Sequence, residues 1–96
     1  MKPSATISGS ACVSDSKGLF YGILLTTDGT NSATLDIYDN TVASGTKIIP
    51  TSVITTSASD RLRSLSFALP LHVNNGIYIS VTCSGTISYM VYYEER

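Results

Sequence analysis

Apolar and small polar residues alternate in short runs along almost the whole chain, and each run ends at glycine, asparagine, aspartate, serine or proline. Alternation with a period of two is typical of a β-strand with one buried face, and the residues that end the runs are those that form turns. No segment shows the 3.6-residue period of a helix. The pattern therefore predicts an all-β protein with seven to eight short strands.

The strongest predicted strand runs over Leu19–Thr27, where apolar residues occupy both faces. A period of two places Leu19, Tyr21, Ile23 and Leu25 on one face and Phe20 and Leu24 on the other. A strand that is apolar on both faces is expected in the middle of a sheet rather than at its edge. Asp28–Asn31 follows as a turn, because glycine and asparagine tolerate the backbone angles of tight turns. The next strand is predicted over Ala33–Tyr38. We interpret the two strands as a hairpin.

The remaining predicted strands are Ala5–Val13, Lys47–Ile49 continued by Ser52–Thr56, Ser64–Leu69, Ile77–Cys83 and Ile87–Tyr93. Pro50 has no N–H to donate, which confines its strand to an edge or a bulge. Leu65, Phe67 and Leu69 alternate with small residues, so we expect all three on a core face and Pro70 at the end of that strand.

The length of 96 residues provides for one core and one domain, residues 1–96. Turn signals recur at intervals of roughly 8 to 12 residues, as in antiparallel sandwiches. We therefore predict a two-sheet antiparallel β-sandwich of jelly-roll-like form.

Composition limits the classes of partner. Charged residues make up only 14 % of the chain, the net charge is -1, and there are 15 serines and 12 threonines. Such a chain lacks the basic surface of a nucleic-acid-binding protein and the polybasic patch of a membrane-surface protein. It also lacks an apolar run of roughly 18 residues and an apolar signal segment at Met1–Val13. We expect neither nucleic acid, nor membrane insertion, nor secretion.

Reactive side chains are few, and none forms a recognisable catalytic or metal-binding motif. His72 is the only histidine, and no nucleophile or metal-ligand pattern accompanies it. Asp36, Asp39 and Asn40 lack the glycine and the distal glutamate of a calcium loop. We therefore expect no enzyme and no cofactor.

The two cysteines, Cys12 and Cys83, lie near opposite ends of the chain. They are interpreted either as two buried thiols or as a disulfide that joins the first and the penultimate strand.

Two features suggest protein contacts. Asp60–Arg63 is a local concentration of charge in the interior of the chain, and it forms either a solvated strand entrance or a polar contact patch. The last strand carries apolar residues on both faces, with Met90 and Tyr92 on one and Tyr89 and Tyr93 on the other, so one face is a candidate for a subunit contact. The candidate partner-binding residues are Arg61, Arg63, Met90 and Tyr92. A homo-oligomer is expected, with a trimer as the hypothesis.

Four segments carry a family resemblance: Gly18–Gly22, Leu35–Asn40, Ala43–Thr46 and Asn75–Tyr78. Together with the aromatic final strand they resemble small β-sandwich virion proteins of tailed bacteriophages. The likeness spans most of residues 18–93, and its motifs are structural rather than catalytic.

The resemblance implies a structural role in the virion, as a head decoration or accessory subunit that binds the major capsid protein or other virion proteins. It implies assembly in the cytoplasm of a bacterial host. The alternative is a neck, tail or fibre module that binds another virion protein or a host surface glycan. The hydroxyl-rich loops Thr26–Ala33 and Thr41–Thr46 are the candidate glycan contacts.

Overall fold

The structure is a computed structural model that describes all 96 residues. It contains eight strands: β1 Lys2–Pro3, β2 Ala11–Ser14, β3 Gly18–Thr27, β4 Ala33–Tyr38, β5 Lys47–Ile54, β6 Leu62–Val73, β7 Ile77–Cys83 and β8 Ile87–Glu95. None of its segments forms a helix with the length and apolar character needed to cross a bilayer. The prediction of an all-β chain is confirmed.

The strands form two four-stranded antiparallel sheets, with orders β1-β8-β3-β6 and β2-β7-β4-β5. We call them the β8–β3 sheet and the β7–β4 sheet after their central strands. β1 pairs with β8, β2 with β7, β3 with β6 and β4 with β5. This is the pairing of one long hairpin wound into two layers, which is the jelly-roll topology. The predicted two-sheet sandwich is therefore confirmed.

The core lies between the two sheets and is built from the inward residues of the central strands. Its largest fully buried side chains are Tyr89, Phe20, Leu25, Leu35, Ile37, Ile77, Ile79 and Val91. The pleat of a strand alternates inward and outward side chains. The outward residues of β4 and β7 are polar or tyrosine, whereas those of β3 and β8 include the apolar Leu24 and Met90. Burying one such core side chain stabilises the fold by roughly 1.5 to 3 kcal/mol.

The strand β3 is central, as predicted, but its alternation is interrupted. A register shift between Phe20 and Gly22 appears in the pairing with both neighbours, β6 and β8. Because a bulge moves the following residues to the other face, Phe20 joins Ile23 and Leu25 in the core. The simple period-two assignment, which put Phe20 opposite those residues, was wrong.

The predicted hairpin of β3 and β4 is also wrong. Both strands are found close to their predicted bounds, but β3 belongs to the β8–β3 sheet and β4 to the β7–β4 sheet. The intervening residues 28–32 cross from one layer to the other. In a wound hairpin the sequence neighbours β3 and β4 face each other across the core, and the turn residues are similar in both arrangements.

The predicted first strand, Ala5–Val13, divides between the two sheets. Ile7 forms an isolated bridge with Tyr89 of β8, whereas Ala11 pairs with Ile79 of β7. Residues 4–10 therefore cross the gap between the sheets on the side of the short edge strands β1 and β2. Ile7 packs against the core there.

β6 differs most from its prediction, because it continues through Pro70 to Val73. Phe20 pairs with Leu71, and Gly22 pairs with Ser66. One residue of β3 therefore stands opposite the four residues 67–70, which form an excursion from the ladder. Leu69 lies in this excursion and is 78 % exposed, so its predicted place on the core face was wrong.

Candidate interaction surfaces

Met90 and Tyr92 lie on the outer face of the β8–β3 sheet. Met90 pairs with Leu24 of β3, and Tyr92 pairs with Gly22. Directly paired residues share a face, so Leu24, Met90 and Tyr92 form one half-buried apolar patch. A shallow depression of about 310 Å³ lies beside Tyr92 and is also lined by Tyr21 and Leu24. We call these four residues, Tyr21, Leu24, Met90 and Tyr92, the outer apolar patch.

Arg63 lies on the opposite face of the same sheet. Its β3 partner is Leu25, which points into the core. The guanidinium of Arg63 donates hydrogen bonds to the carbonyl oxygen of Thr55 at 3.0 Å and to Oδ1 of Asp60 at 3.0 Å. Arg63 therefore holds the connection between β5 and β6, which favours the structural interpretation of its charge.

Arg61 is exposed in the loop that precedes β6. Its Nε donates to the carbonyl oxygen of Ala58 at 3.3 Å, and its own carbonyl oxygen accepts from the N–H of Thr27 at 3.3 Å. The four candidate residues thus form no single surface. Met90 and Tyr92 belong together, whereas Arg61 and Arg63 order a loop at the edge of the sandwich.

A cleft that the sequence did not predict opens between the edge strands β5 and β6. Its volume is about 420 Å³. Its apolar lining is Ile23, Leu25, Leu35, Ile49, Val53, Ile54 and Leu65, and Ser52, Thr55, Arg63 and Ser64 complete its wall. We call it the β5–β6 cleft. Pro50 signalled that β5 is an edge strand, but only the folded topology places the edge of β6 beside it.

The outer face of the β7–β4 sheet is polar and aromatic. Tyr38 pairs with Tyr78, and Asp36 pairs with Ser80. Lys47 reaches across this face, with its Nζ 3.0 Å from Oδ1 of Asp36 and 5.9 Å from the centre of the Tyr38 ring. The bond from Thr51 to the Asp36 carboxylate, followed by that from Lys47, lowers the pKa of Asp36. Two neighbouring phenol rings with an anionic acceptor beside them can stack on a sugar and bind its hydroxyls.

The two loops predicted to contact a glycan do not meet. They lie at opposite ends of β4, whose six residues separate them by about 20 Å. In the Thr26–Ala33 loop the carboxylate of Asp28 is used within the protein. Asp28 accepts from the N–H groups of Thr30 and Asn31, each at 2.9 Å, and these bonds lower its pKa to about 2. Asp39, which precedes the Thr41–Thr46 loop, accepts from the N–H groups of Asn74 and Asn75.

The two cysteines are separate thiols. Cys12 pairs with Tyr78, and Cys83 lies five residues further along β7, about 17 Å away. A disulfide needs Cα atoms within about 7 Å, so the geometry excludes one. The prediction that both thiols are buried is wrong for Cys12, which is exposed, while Cys83 is half-buried. Partial desolvation and then the nearby Asp15 raise the pKa of the Cys12 thiol.

His72 is exposed near one end of the sandwich, at the rim of a depression that Asp39 and Lys47 also line. No group of three or more His, Cys, Asp or Glu side chains converges to a metal-binding arrangement. Comparison with protein-family models, with curated proteins and with solved structures found no match.

Proposed function

We propose that this protein is a structural component of a tailed-bacteriophage virion, a head decoration or accessory subunit that binds the assembled capsid. The observation that carries the proposal is the outer apolar patch on a compact jelly roll. The jelly roll is a recurrent architecture of viral capsid domains. Since folds do not determine function by themselves, the patch is the necessary second argument.

The outer apolar patch suits a contact with another folded protein. Tyrosine and methionine are enriched at protein interfaces, and a patch on a flat sheet is accessible without rearrangement of the fold. Tyr21 donates to Oε2 of Glu94 at 3.1 Å, which places a polar group at the border of the patch. An apolar centre with a polar rim is the usual arrangement of an interface.

Such a subunit needs no chemistry to reinforce a shell. Many copies, each with a modest contact, bind a repeating lattice more strongly than any single contact would, and each can bridge neighbouring capsomers. The partner we propose is the major capsid protein or another protein of the virion surface.

Co-sedimentation tests the proposal. Purified protein is mixed with particles of the parent phage from which this chain has been deleted, and the pelleted fraction is measured. We expect saturable binding to the particles. The proposal would be contradicted if the protein bound neither complete particles nor particles that lack this chain, and if mass spectrometry did not find the chain in purified virions.

A second candidate is a glycan-binding module of the neck, tail or fibre. The pair of Tyr38 and Tyr78 beside Asp36 favours it, because the three groups share one accessible sheet face. A glycan array tests it. Binding that is lost in the Tyr38→Ser/Tyr78→Ser variant would support this role, and no binding to any glycan would contradict it.

A further inference from the structure

The turn between β6 and β7 contains the one Asn-Gly pair of the chain, Asn75–Gly76. In such a pair the backbone nitrogen of the glycine can attack the side-chain amide carbon of the asparagine. Glycine obstructs this attack least, because it has no side chain. Only one of the four asparagines precedes a glycine, the four being Asn31, Asn40, Asn74 and Asn75. The pair therefore combines a turn with a reactive bond.

Both reacting groups of Asn75–Gly76 are free of hydrogen bonds within the protein. Asn75 is exposed, and its one hydrogen bond is made by its backbone N–H, which leaves its side-chain amide without a partner. The N–H of Gly76 donates to no group, since Gly76 precedes the ladder of β7, which begins at Ile77. The amide carbon and the attacking nitrogen can therefore meet without breaking a hydrogen bond of the fold.

The amides of Asn31 and Asn40 are held by hydrogen bonds. Nδ2 of Asn31 donates to Oδ2 of Asp28 at 2.9 Å, and Nδ2 of Asn40 donates to the carbonyl oxygen of Ser44 at 2.9 Å. Each amide has to give up its bond before its carbon can turn towards the backbone nitrogen of the next residue. We therefore expect both asparagines to react more slowly than Asn75.

Asn74 is the closest internal comparison, because it lies in the same turn and is exposed like Asn75. The nitrogen that would attack its side chain is that of Asn75. The N–H of Asn75 donates to Oδ1 of Asp39 at 2.9 Å, and this bond to an anion opposes loss of the proton. The reaction is thus obstructed at Asn74 and open at Asn75.

We propose that Asn75 is a site of spontaneous deamidation in the folded protein. The Gly76 nitrogen loses its proton to solvent and forms a bond to Cγ of Asn75. The bond from Cγ to Nδ2 breaks, and the leaving amine takes up a proton and departs as ammonia. Water then opens the resulting succinimide ring at either carbonyl carbon, which gives aspartate or isoaspartate. Overall one water molecule is consumed and one ammonia is released, with no oxidant or other reactant.

The isoaspartate product would strain this end of the sandwich. Isoaspartate adds one carbon atom to the main chain next to Gly76, which is buried. A Cβ at Gly76 would already overlap the carbonyl oxygen of Ser14 and lie 3.1 Å from that of Asn40, so the turn has little room to expand. Either product also places a second carboxylate beside Asp39, where the two like charges repel each other. The net charge changes from -1 to -2 by this one added charge.

Ageing of the folded protein tests the proposal. The protein is kept at physiological temperature in mildly alkaline buffer, and samples are digested at acid pH so that digestion itself adds no deamidation. Peptide mass spectrometry then locates the exchange of NH2 for OH. We expect this exchange at Asn75 at least about fivefold faster than at the other three asparagines, where a hydrogen bond must first be given up. The rate should rise with pH, because the Gly76 nitrogen has to lose its proton.

Asn75→Gln is the test variant, because it keeps an amide of the same charge but would have to close a larger and slower ring. It should accumulate no acidic form on anion-exchange chromatography, whereas the control Asn74→Gln should age like the wild type. Circular dichroism checks that both variants are folded. An acidic form that accumulates equally in Asn75→Gln would overturn the proposal.

The chain unfolded in guanidinium chloride shows how fast the Asn-Gly pair reacts without the fold. Folded protein that keeps the Asn75 amide while the unfolded chain loses it would overturn the proposal, because the fold would then protect the pair. Equal rates at Asn74 and Asn75 in the folded protein would overturn it as well. The purified isoaspartate form should melt below the fresh protein, and an equal melting midpoint would contradict the strain at Gly76.

Discussion

The phenol hydroxyl of Tyr89 donates a hydrogen bond to the backbone carbonyl oxygen of Gly9 at 2.6 Å. The ring of Tyr89 lies in the core and is only 2 % exposed, whereas Gly9 belongs to the segment that crosses between the sheets. This bond joins the central strand β8 to the N-terminal segment. It thereby helps to close the side of the sandwich opposite the β5–β6 cleft.

Replacing Tyr89 by phenylalanine should weaken that closure. The ring keeps its packing, so we expect the free energy of unfolding in urea to fall by about 1 kcal/mol, the usual value of one hydrogen bond. Amide exchange of residues 4–10 should also accelerate. Tyr93→Phe is the control on the same strand, because the Tyr93 hydroxyl bonds no other group of the protein. Equal unfolding free energies for the two variants would count against this role of Tyr89.

Gly22→Ala should destabilise the protein. A Cβ at this position would overlap the carbonyl oxygen of Leu65 on the neighbouring strand β6. Backbone cannot move aside as a flexible side chain can, so we expect a loss of roughly 1 to 3 kcal/mol of unfolding free energy. Gly9→Ala is the matched control, since a Cβ there meets nothing within 4 Å. If thermal melts place both variants at the same midpoint, the close approach of β3 and β6 is not as described.

The strands of this protein were predictable, but their partners were not. The bounds of β4 and β7 match the alternation in the sequence, because inward aliphatic residues and outward polar or tyrosine residues recur with a period of two. Nothing in the turn at residues 28–32 distinguishes a hairpin from a crossing between sheets. Whether the chain forms a hairpin or crosses between the sheets depends on long-range strand pairs, such as β3 with β6, which together determine which apolar residues are buried in the core.

The candidate surfaces were predictable only in part. Met90 and Tyr92 share an outer face, as the alternation of β8 indicated, but Arg63 turned out to order the β5–β6 connection. Leu69 was assigned to the core because it continues the alternation of Leu65 and Phe67. Four residues of β6 opposite one residue of β3 break that alternation, and a single-strand pattern cannot reveal such an excursion.

Acid should destabilise the protein partly through Asp28. Its pKa is lowered to about 2 in the folded protein, from an ordinary value of 3.8. Because the pKa of Asp28 is lower in the folded protein than in the unfolded protein, its ionised carboxylate stabilises the fold at pH values above the unfolded-state pKa. This stabilisation is lost as the pH falls from about 4 towards 2. Asp36, Glu94 and Glu95 have pKa values lowered in the same direction by their hydrogen bonds, so they add to the effect.

The Asp28→Asn variant should therefore melt at a lower temperature than the wild type at pH 7, and the difference should shrink as the pH approaches 2. Melting curves between these pH values measure it. Asp15→Asn is the control, because no hydrogen bond of the structure ends on the Asp15 carboxylate. A difference between Asp28→Asn and the wild type that stays constant with pH would disprove the assignment.

The two outer sheet faces distinguish the two candidate functions. Met90→Ser/Tyr92→Ser removes apolar contacts from the β8–β3 face, and Tyr38→Ser/Tyr78→Ser removes the aromatic pair from the β7–β4 face. In particle co-sedimentation we expect the first double variant to lose at least about tenfold in affinity, since buried aromatic residues dominate interfaces. The second double variant should bind particles like the wild type. The reverse result would assign particle binding to the β7–β4 face.

Cryo-electron microscopy of the parent particle tests the virion role most directly. Density into which the eight-stranded sandwich fits should appear on the outer surface of the head, repeated with the lattice, and the face with Leu24, Met90 and Tyr92 should lie against the shell. Particles in which neither head, neck, tail nor fibre contains such density would contradict the proposal that this protein is part of the virion.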